Sequence, residues 1–336
     1  TVPAHYLDLA LWLEADRMGW LLPAMTQEKL DNQRDVVKNE RRWRYDNQPY
    51  GDWDERIQAM MYPPEHPYHH SVIGSMADLD AASLEDVERF FRTYYAPNNA
   101  VLTVCGDFEP DRALESIERW FGEIPAGPPV PPIPGTTELP PTLGAPVREV
   151  VSQDVSLPRI YLAFRIPPYG DDDFYPAEVA SKILARGKAS ILERSLVRQR
   201  QVAKDVSAFA FPIVTGAAML VVIATARPGV SPDTLEAALL EDIASLRDVA
   251  PEDVERAVNL IEARRLIELQ QVGERADMLS MYTTLFDDPG RINTELDSIR
   301  AVTPERVRDF ARRFFGDDNR GTLLYVPTNG EKGGEG

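Results

Sequence analysis

The sequence is poor in three features that would point to particular classes of protein. It has one cysteine, Cys105, among 336 residues, which excludes an internal disulfide and any CxxC metal or redox site. Its most apolar stretch, 217–226, has the length of a strand and is far too short to span a membrane. Acidic residues outnumber basic ones by 54 to 36, and the net charge of -18 argues against nucleic acid or an anionic membrane as the main partner.

Motifs for several common chemistries are also missing. No GxSxG motif presents a serine nucleophile, and no P-loop or GxGxxG follows a predicted strand. Cys105 falls in a predicted strand over 100–105, where a packing role is expected. His66, His69 and His70 cluster in 65–70, but Pro67 favours an extended backbone and no nearby cysteine completes a tetrahedral set. We therefore expect an exposed loop there rather than a metal site.

A proline-rich segment divides the chain. Residues 127–146 contain eight prolines and few long apolar side chains, which is typical of a stiff linker. We predict a first domain over 1–125, a linker over 126–148, a second domain over 149–328 and a disordered tail over 329–336. Both domains mix helices with short apolar strands, which indicates an α+β fold.

Two segments of the chain repeat each other at a constant offset. Residues 83–99 and 303–319 agree in the N-cap residue, in the apolar positions of the helix and in a closing asparagine, at 303 − 83 = 220. Glu40 and Glu262 correspond in the same way, at 262 − 40 = 222. Because the N-cap residue, the apolar face and the closing asparagine all agree, we predict that the two halves of the chain arose by duplication. We expect two homologous α/β-roll halves, each with a mixed or antiparallel sheet and helices on one face.

The repeat also predicts a length for the first half. The second copy opens with a predicted strand near Glu149, and 149 − 220 = −71. We therefore expect about seventy residues of the first half to precede Thr1, because each repeat is one complete unit. On this expectation the first half is N-terminally truncated in the sequence, and it lacks its first strands and a helix.

Five stretches with recognisable residues stand in order along the chain. They are LEADRMGWLL at 13–22, QRDVVKNERR at 33–42, DNQPYG at 46–51, HPY…IGSMADL at 66–79 and FFRTYYAPNNAVLTVCGDF at 90–108. Together they resemble the pitrilysin/insulinase family of zinc metallopeptidases, particularly its bacterial two-domain members related to mitochondrial processing peptidase. That family is also built from two homologous α+β halves, which agrees with the internal repeat.

The resemblance changes the interpretation of Glu40. By itself, a glutamate on so polar a helix is typical of a solvated surface. The family holds zinc through two histidines of an HxxEH motif and a glutamate on a later helix, and Glu40 matches that glutamate. HxxEH is absent here, and the resemblance places it upstream of Thr1. We therefore expect zinc in the intact protein, none bound by this chain alone, and no catalytic residue in the chain.

The resemblance also implies a substrate-holding arginine and tyrosine in the second half. In the matching segment 190–206, Val197 and Lys204 occupy those two positions. Arg198 is the neighbouring candidate for substrate contact, although its side chain leaves a different face of a helix. Gln33 stands where some relatives have a second acid that supports the metal site. Whether Val197 and Lys204 abolish the family's substrate-holding role stays open.

Two functional hypotheses follow. In the first, the chain is most of a zinc metalloendopeptidase that encloses unfolded peptides and cleaves them by metal-activated water, and it is inactive without HxxEH. In the second, it is a non-catalytic peptide-binding or scaffolding subunit of a peptidase complex. The expected partners are a peptide substrate and a second subunit, in a homodimer or a heterodimer with a related chain, with no nucleic acid and no membrane. A periplasmic or secreted location is favoured over a cytoplasmic one.

Overall fold

The computed structural model describes residues 1–133 and 138–328. Their contacts divide them into two compact units that are each discontinuous in sequence. Unit 1 comprises 1–42, 73–133 and 265–294, and unit 2 comprises 43–72, 138–264 and 295–328. The domain boundaries expected from the proline-rich segment stay a prediction. Linker residues 134–137 and the expected disordered tail over 329–336 lie outside the described residues.

Helices account for most of the regular structure. In chain order they are α1 (Leu7–Ala24), α2 (Gln27–Arg41), α3 (Trp53–Met61), α4 (Met76–Ala81), α5 (Leu84–Tyr94), α6 (Pro110–Phe121), α7 (Phe174–Ala185), α8 (Pro232–Ala244), α9 (Pro251–Leu269), α10 (Val272–Phe286), α11 (Arg291–Arg300) and α12 (Pro304–Phe314). Two short π-helices span Arg42–Asp46 and Glu193–Gln199. Across 1–133 and 138–328, none of the helices combines the length and apolar character needed to cross a membrane.

Unit 2 is built on a five-stranded sheet. Its strands are β1 (Val147–Gln153), β2 (Arg159–Ile166), β3 (Ala203–Phe211), β4 (Ala218–Ala226) and β5 (Arg320–Pro327), in the spatial order β1-β5-β2-β4-β3. β1 runs parallel to β5, and the other neighbouring pairs are antiparallel. The sheet is therefore mixed, and the α+β class expected from the sequence is confirmed.

Both faces of this sheet are covered, which explains the nearly continuous apolar sequences of β2 and β4. One face packs against α7, α8 and α12. There the ring of Phe164 lies 4.8 Å from the ring of Phe315, at the end of α12. The opposite face is covered by residues 43–72, and α3 contacts both β2 and β5. The sequence predicted helices on one face only, so the segment on the second face is a finding of the structure.

Large apolar and aromatic side chains hold residues 43–72 against the sheet. Ile57, Met61 and Tyr62 are each at most 2% exposed, and Trp53 stacks on Tyr161 with ring centroids 5.1 Å apart. Each such side chain contributes about 1.5–3 kcal/mol when it is fully buried. The segment and the sheet therefore share one hydrophobic core.

Unit 1 corrects one expectation from the sequence. Residues 1–133 contain no β-strand, so the strand expected over 100–105 is wrong for this structure. A strand requires a neighbouring strand for its backbone hydrogen bonds, and residues 1–133 supply none. Elsewhere in unit 1, α1 packs against α6 and buries Leu11 and Ala15.

The internal repeat is visible in local hydrogen bonding. Ser83 and Thr303 cap α5 and α12 by accepting from the backbone N–H groups of Asp86 and Arg306, three residues on. Beyond the helices, the side-chain amides of Asn99 and Asn319 donate to the carbonyl oxygens of Tyr94 and Phe314, at 2.8 Å in both cases. Every one of these contacts keeps the offset of 220 residues.

The two copies of this repeated helix differ in burial. Phe310 and Phe314 of α12 are each 3% exposed, whereas their counterparts Phe90 and Tyr94 of α5 are 56% and 37% exposed. The difference follows from the sheet, because α12 packs on β2 and α5 has no strand to pack on within residues 1–133.

Candidate functional site

Helix α2, which carries the candidate zinc ligand, is held in place by basic side chains on one of its faces. Arg34 donates through Nε to the carbonyl of Leu79 and through Nη2 to that of Ala82, both at 2.7 Å. Lys38 pairs with Asp80 at 2.6 Å, and Arg41 donates to the carbonyl of Gly74 at 2.8 Å. Residues 34, 38 and 41 recur at helical spacing. The basic residues of QRDVVKNERR therefore have a structural role, because they attach α2 to residues 74–82.

Glu40 lies on a different face of the same helix. It is half-buried, one residue before the end of α2, and it follows Gln33 by seven residues, so the two share a face. Neither in residues 1–133 nor in 138–328 do three or more His, Cys, Asp or Glu side chains form a group that could hold a metal ion. The expectation that this chain alone binds no zinc stays a prediction. The assignment of Glu40 as a ligand stays a prediction.

The DNQPYG stretch forms the turn that docks residues 43–72 onto the sheet of unit 2. Gly51 is required sterically, because a Cβ at this position would lie 2.1 Å from the carbonyl oxygen of Tyr45. Tyr50 adopts a left-handed backbone with φ 61° and is 8% exposed. Its N–H donates to Oε1 of Gln153 at 2.9 Å, and its hydroxyl donates to the carbonyl of Leu157 at 2.7 Å. The DNQPYG turn therefore holds residues 43–72 against the sheet of unit 2.

A polar network continues from that turn. Asp52 accepts from the hydroxyl of Tyr325 at 2.6 Å and from Nε of Arg56 at 2.6 Å, and Arg56 also pairs with Glu149. Burial acts to raise the pKa of Asp52, but these hydrogen bonds outweigh it and hold the pKa below its usual value. Burial raises the pKa of the Tyr325 hydroxyl, and its contact with Asp52 adds to that rise. Both groups keep their usual charge states near neutral pH.

The histidine cluster corrects a second expectation, because 65–70 is not an exposed loop. His66 is 1% exposed and its ring stacks on Tyr62 with centroids 4.8 Å apart. Its Nδ1 accepts from the N–H of Tyr68 at 3.1 Å, and its Nε2 has no hydrogen-bond partner among the described residues. Burial, with the charge of Arg165 adding to it, lowers the pKa of His66. His66 is buried because its ring packs against Tyr62, which is itself buried against the sheet.

His69 and His70 differ from His66. Nδ1 of His69 lies 2.7 Å from the carbonyl oxygen of Tyr62, and His70 is exposed. His5, the remaining histidine, is exposed in unit 1. The structure thus gives two of the clustered histidines packing roles around Tyr62.

The candidate substrate-contact residues lie in and after the π-helix Glu193–Gln199. Arg198 is exposed, and its Nε donates to Oε1 of Glu193 at 3.2 Å. Val197 is half-buried, and its carbonyl accepts from Nη2 of Arg227 at 2.9 Å. Lys204 is exposed on β3, an edge strand of the sheet. Substrate contact by Arg198 stays a prediction.

One potentially functional residue, Asp242, was missed from the sequence although a signal was present. It lies on the buried face of α8 together with Leu235, Leu239 and Ile243. An acidic residue at a core-facing position is uncommon without a partner or a role. An acidic residue among the apolar positions of α8 therefore indicates that Asp242 has a partner or a functional role.

Comparisons with known proteins agree with the fold and with the family that the five stretches resemble. A family model described as the peptidase M16 inactive domain matches residues 81–261. The chain is 26% identical over 324 residues to the zinc protease PqqE of Helicobacter pylori, covering 96% of this chain and 72% of that protein. The crystal structure of a protease from Helicobacter pylori matches with a TM-score of 0.88 at 24% identity, over 96% of this chain and 78% of that one.

A peptidase M16 inactive domain from Pseudomonas fluorescens also shares the fold. It matches with a TM-score of 0.79 at 18% identity, over 97% of this chain and 76% of that chain. The family model covers more than half of the sequence, so this chain belongs to the peptidase M16 family, and its matched region corresponds to the domain described as inactive. The predicted membership of the pitrilysin/insulinase family is confirmed, in a chain without HxxEH.

Proposed function

We propose that this chain forms most of a zinc-dependent metalloendopeptidase whose remaining metal ligands, in an HxxEH helix, come from sequence upstream of Thr1. The observation that carries the proposal is the difference in burial between the two copies of the repeat. Phe90 and Tyr94 are 56% and 37% exposed, while the matching Phe310 and Phe314 are buried against a sheet. Exposed aromatic positions with buried counterparts mark a surface that another element covers.

The segment after α5 supports the same proposal. Residues 100–105 correspond to 320–325 of β5 by the offset of 220, and β5 pairs with β1 on one side and β2 on the other. Val101 and Leu102 are 41% and 45% exposed, whereas their counterparts Gly321 and Thr322 are buried, with Thr322 only 2% exposed. In the intact protein, strands from the upstream segment would pair with 100–105 and cover α5.

The zinc site of the proposal needs residues beyond those described. Glu40 would supply one carboxylate ligand, and the two histidines of HxxEH would supply the others. When bound in such a site, zinc lowers the pKa of a coordinated water and so provides a nucleophile near neutral pH. On this chain, α2 positions Glu40 through the Arg34 and Lys38 contacts with 79–82.

The sheet of unit 2 supports a peptide as the substrate class. β1 and β3 are edge strands, and each pairs with a neighbour on one side only. An extended peptide can add to such an edge through main-chain hydrogen bonds, which recognise unfolded chains with little dependence on sequence.

The decisive experiment expresses this chain together with its native upstream sequence and measures zinc content and cleavage of a quenched peptide, with and without chelator. We expect chelator-sensitive cleavage. Glu40→Gln should lower both zinc content and activity by more than the roughly 10- to 100-fold that loss of an outer-shell partner costs. The matched control is Glu262→Gln, the repeat counterpart in unit 2, which should retain activity. Cleavage that resists chelator, or equal effects of the two variants, contradicts the proposal.

The alternative is a non-catalytic peptide-binding or scaffolding subunit that works with an active companion. The observation that favours it is the match of 81–261 to a domain described as inactive. Under this alternative the native upstream sequence lacks HxxEH, and the protein stimulates a related peptidase in mixtures while showing no cleavage alone. Cleavage by the protein alone would exclude it.

A further inference from the structure

A polar cavity opens within unit 2 between the π-helix Glu193–Gln199, the end of α8 and the start of α9. Its volume is about 370 Å³, and its polar lining includes Arg194, Ser195, Gln199, Asp242, Ser245 and Asp248. The π-helix follows two α-helical residues, 191 and 192, and ends the helical segment. π-helices are rare, and they are frequent at functional sites. The lining combines carboxylates, hydroxyls, an amide and one guanidinium with three apolar residues, Ile191, Val249 and Ala250.

The buried wall of this cavity carries an acidic group that lacks a full set of partners. Asp242 is 7% exposed, and its Oδ2 accepts no hydrogen bond within the described residues. Its Oδ1 lies 3.6 Å from Nη2 of Arg200, and Ser195 faces the same carboxyl group. Burial raises the pKa of Asp242 despite these neighbours. A buried carboxylate oxygen without a partner is costly, and a ligand that donates to it would remove that cost.

The charge of the lining indicates which ligand would fit. Asp242, Asp248 and Asp253 contribute three carboxylates, and Arg194 contributes one guanidinium. Asp253 is paired with Arg256 at 2.9 Å, and Arg200 is shared between Asp242 and Glu241. Arg194 also acts on Asp242, so four carboxylates face three guanidinium groups and one negative charge remains in excess, at Asp248. The hydroxyl and amide groups of Ser195, Ser245 and Gln199 add acceptors for a ligand with several N–H donors.

We propose that this cavity binds an alkylguanidinium or alkylammonium group, with Asp242 as the buried acceptor and Asp248 as a second carboxylate at the mouth. A planar guanidinium donates two parallel N–H bonds to one carboxylate, which makes it the better match. The group belongs either to a small free cation or to a basic side chain of a peptide. This site is independent of the proposed zinc chemistry, because all its lining residues belong to unit 2 and none is a proposed metal ligand.

Calorimetric titration of the full 336-residue chain tests the proposal. Butylguanidinium should bind, and the neutral isostere butylurea should not, because the isostere has lost the charge that the carboxylates recognise. Asp242→Asn should weaken the binding by about 10- to 100-fold, the range for one charge-assisted hydrogen bond. Asp248→Asn should weaken it less. Asp233→Asn is the matched control, since it removes the same charge from α8 outside the cavity.

A second pair of probes distinguishes the two sources of the cation. A short peptide with one internal arginine is compared with the same peptide carrying citrulline. Binding of the arginine peptide together with butylguanidinium supports a peptide side chain as the ligand, and binding of butylguanidinium alone supports a small free cation. The proposal would be overturned if neither butylguanidinium nor the arginine peptide bound, or if butylurea bound as tightly as butylguanidinium. It would also be overturned if Asp242→Asn and Asp233→Asn bound butylguanidinium with equal affinity. Circular dichroism of each variant verifies that it is folded.

Discussion

The hydroxyl of Tyr325 donates to Oδ1 of Asp52 at 2.6 Å, and this contact joins the last strand of the sheet to the segment that covers it. Tyr325 is fully buried in β5, and Asp52 precedes α3. The two residues are 273 positions apart in the chain. The docking of residues 43–72 therefore depends on a polar contact as well as on the shared apolar core.

The first prediction concerns that contact. Tyr325→Phe should lower the free energy of unfolding of unit 2 by about 1–2 kcal/mol, because it removes a hydrogen bond to a charged group that is partly exposed. A double-mutant cycle with Asp52→Ala, measured by equilibrium denaturation, isolates the pair. A coupling energy near zero would show that the contact contributes nothing.

The second prediction concerns the tight turn at Gly51. Gly51→Ala should destabilise the docked segment by about 2–3 kcal/mol, because the new methyl group would clash with the carbonyl oxygen of Tyr45 and force the turn open. Increased proteolysis within residues 43–72 would report the loss of docking. Gly273→Ala is the matched control, since its Cβ would meet Oγ1 of Thr1 at an ordinary 3.5 Å and it lies in a helix. Equal effects of the two substitutions would contradict this account.

The third prediction is a pH dependence that comes from His66. Its folded-state pKa lies below the value of 6.5 that it has when exposed, mainly because burial disfavours the imidazolium. As the pH falls below 6.5, the unfolded chain binds a proton that the folded chain excludes, so the free energy of unfolding should decrease.

His66→Gln should reduce that decrease, measured by chemical denaturation at a series of pH values on both sides of 6.5. His70→Gln is the control, because His70 is exposed. A pH profile that His66→Gln leaves unchanged would show that another group causes the acid sensitivity.

The fourth prediction uses the repeat as its own control. Asn319→Ala should cost about 2–4 kcal/mol, because Asn319 is fully buried and donates to the carbonyls of Arg165 and Phe314, each at 2.8 Å. The equivalent Asn99→Ala removes one exposed contact with Tyr94 and should cost less than about 1 kcal/mol. Thermal denaturation of both variants tests the ranking, and equal losses would show that burial does not distinguish the copies.

Much of the fold could be predicted from local sequence. The caps Ser83 and Thr303, the apolar faces that follow them and the closing asparagines are short-range patterns, so the repeat is recognisable in the amino-acid sequence alone. The apolar run at 217–226 likewise has the length of a strand, and β4 occupies it from Ala218. These features depend on the intrinsic geometry of a helix or a strand, which residues a few positions apart determine.

The errors have a common physical cause. The strand expected over 100–105 is absent because a strand needs a partner, and the pattern of one segment does not show whether a partner is present. The segment 65–70 was expected to be an exposed loop because Pro67 favours an extended backbone and no cysteine completes a metal site, yet stacking on Tyr62 buries His66. The sequence shows that Asp242 falls on the apolar face of α8. It does not show that Oδ2 lacks a hydrogen-bond partner among the described residues, because that depends on the residues that surround it in the fold.

By itself the sequence determined the repeated helix with its caps, the internal repeat and the family, because each rests on spacing within a short segment or on its recurrence 220 residues later. Only the tertiary structure decided that residues 43–72 cover the free face of the sheet, that His66 is buried, and that a polar cavity surrounds Asp242. Those outcomes depend on side chains distant in sequence competing for the same apolar surface and hydrogen-bond partners, and no local pattern records the result of that competition.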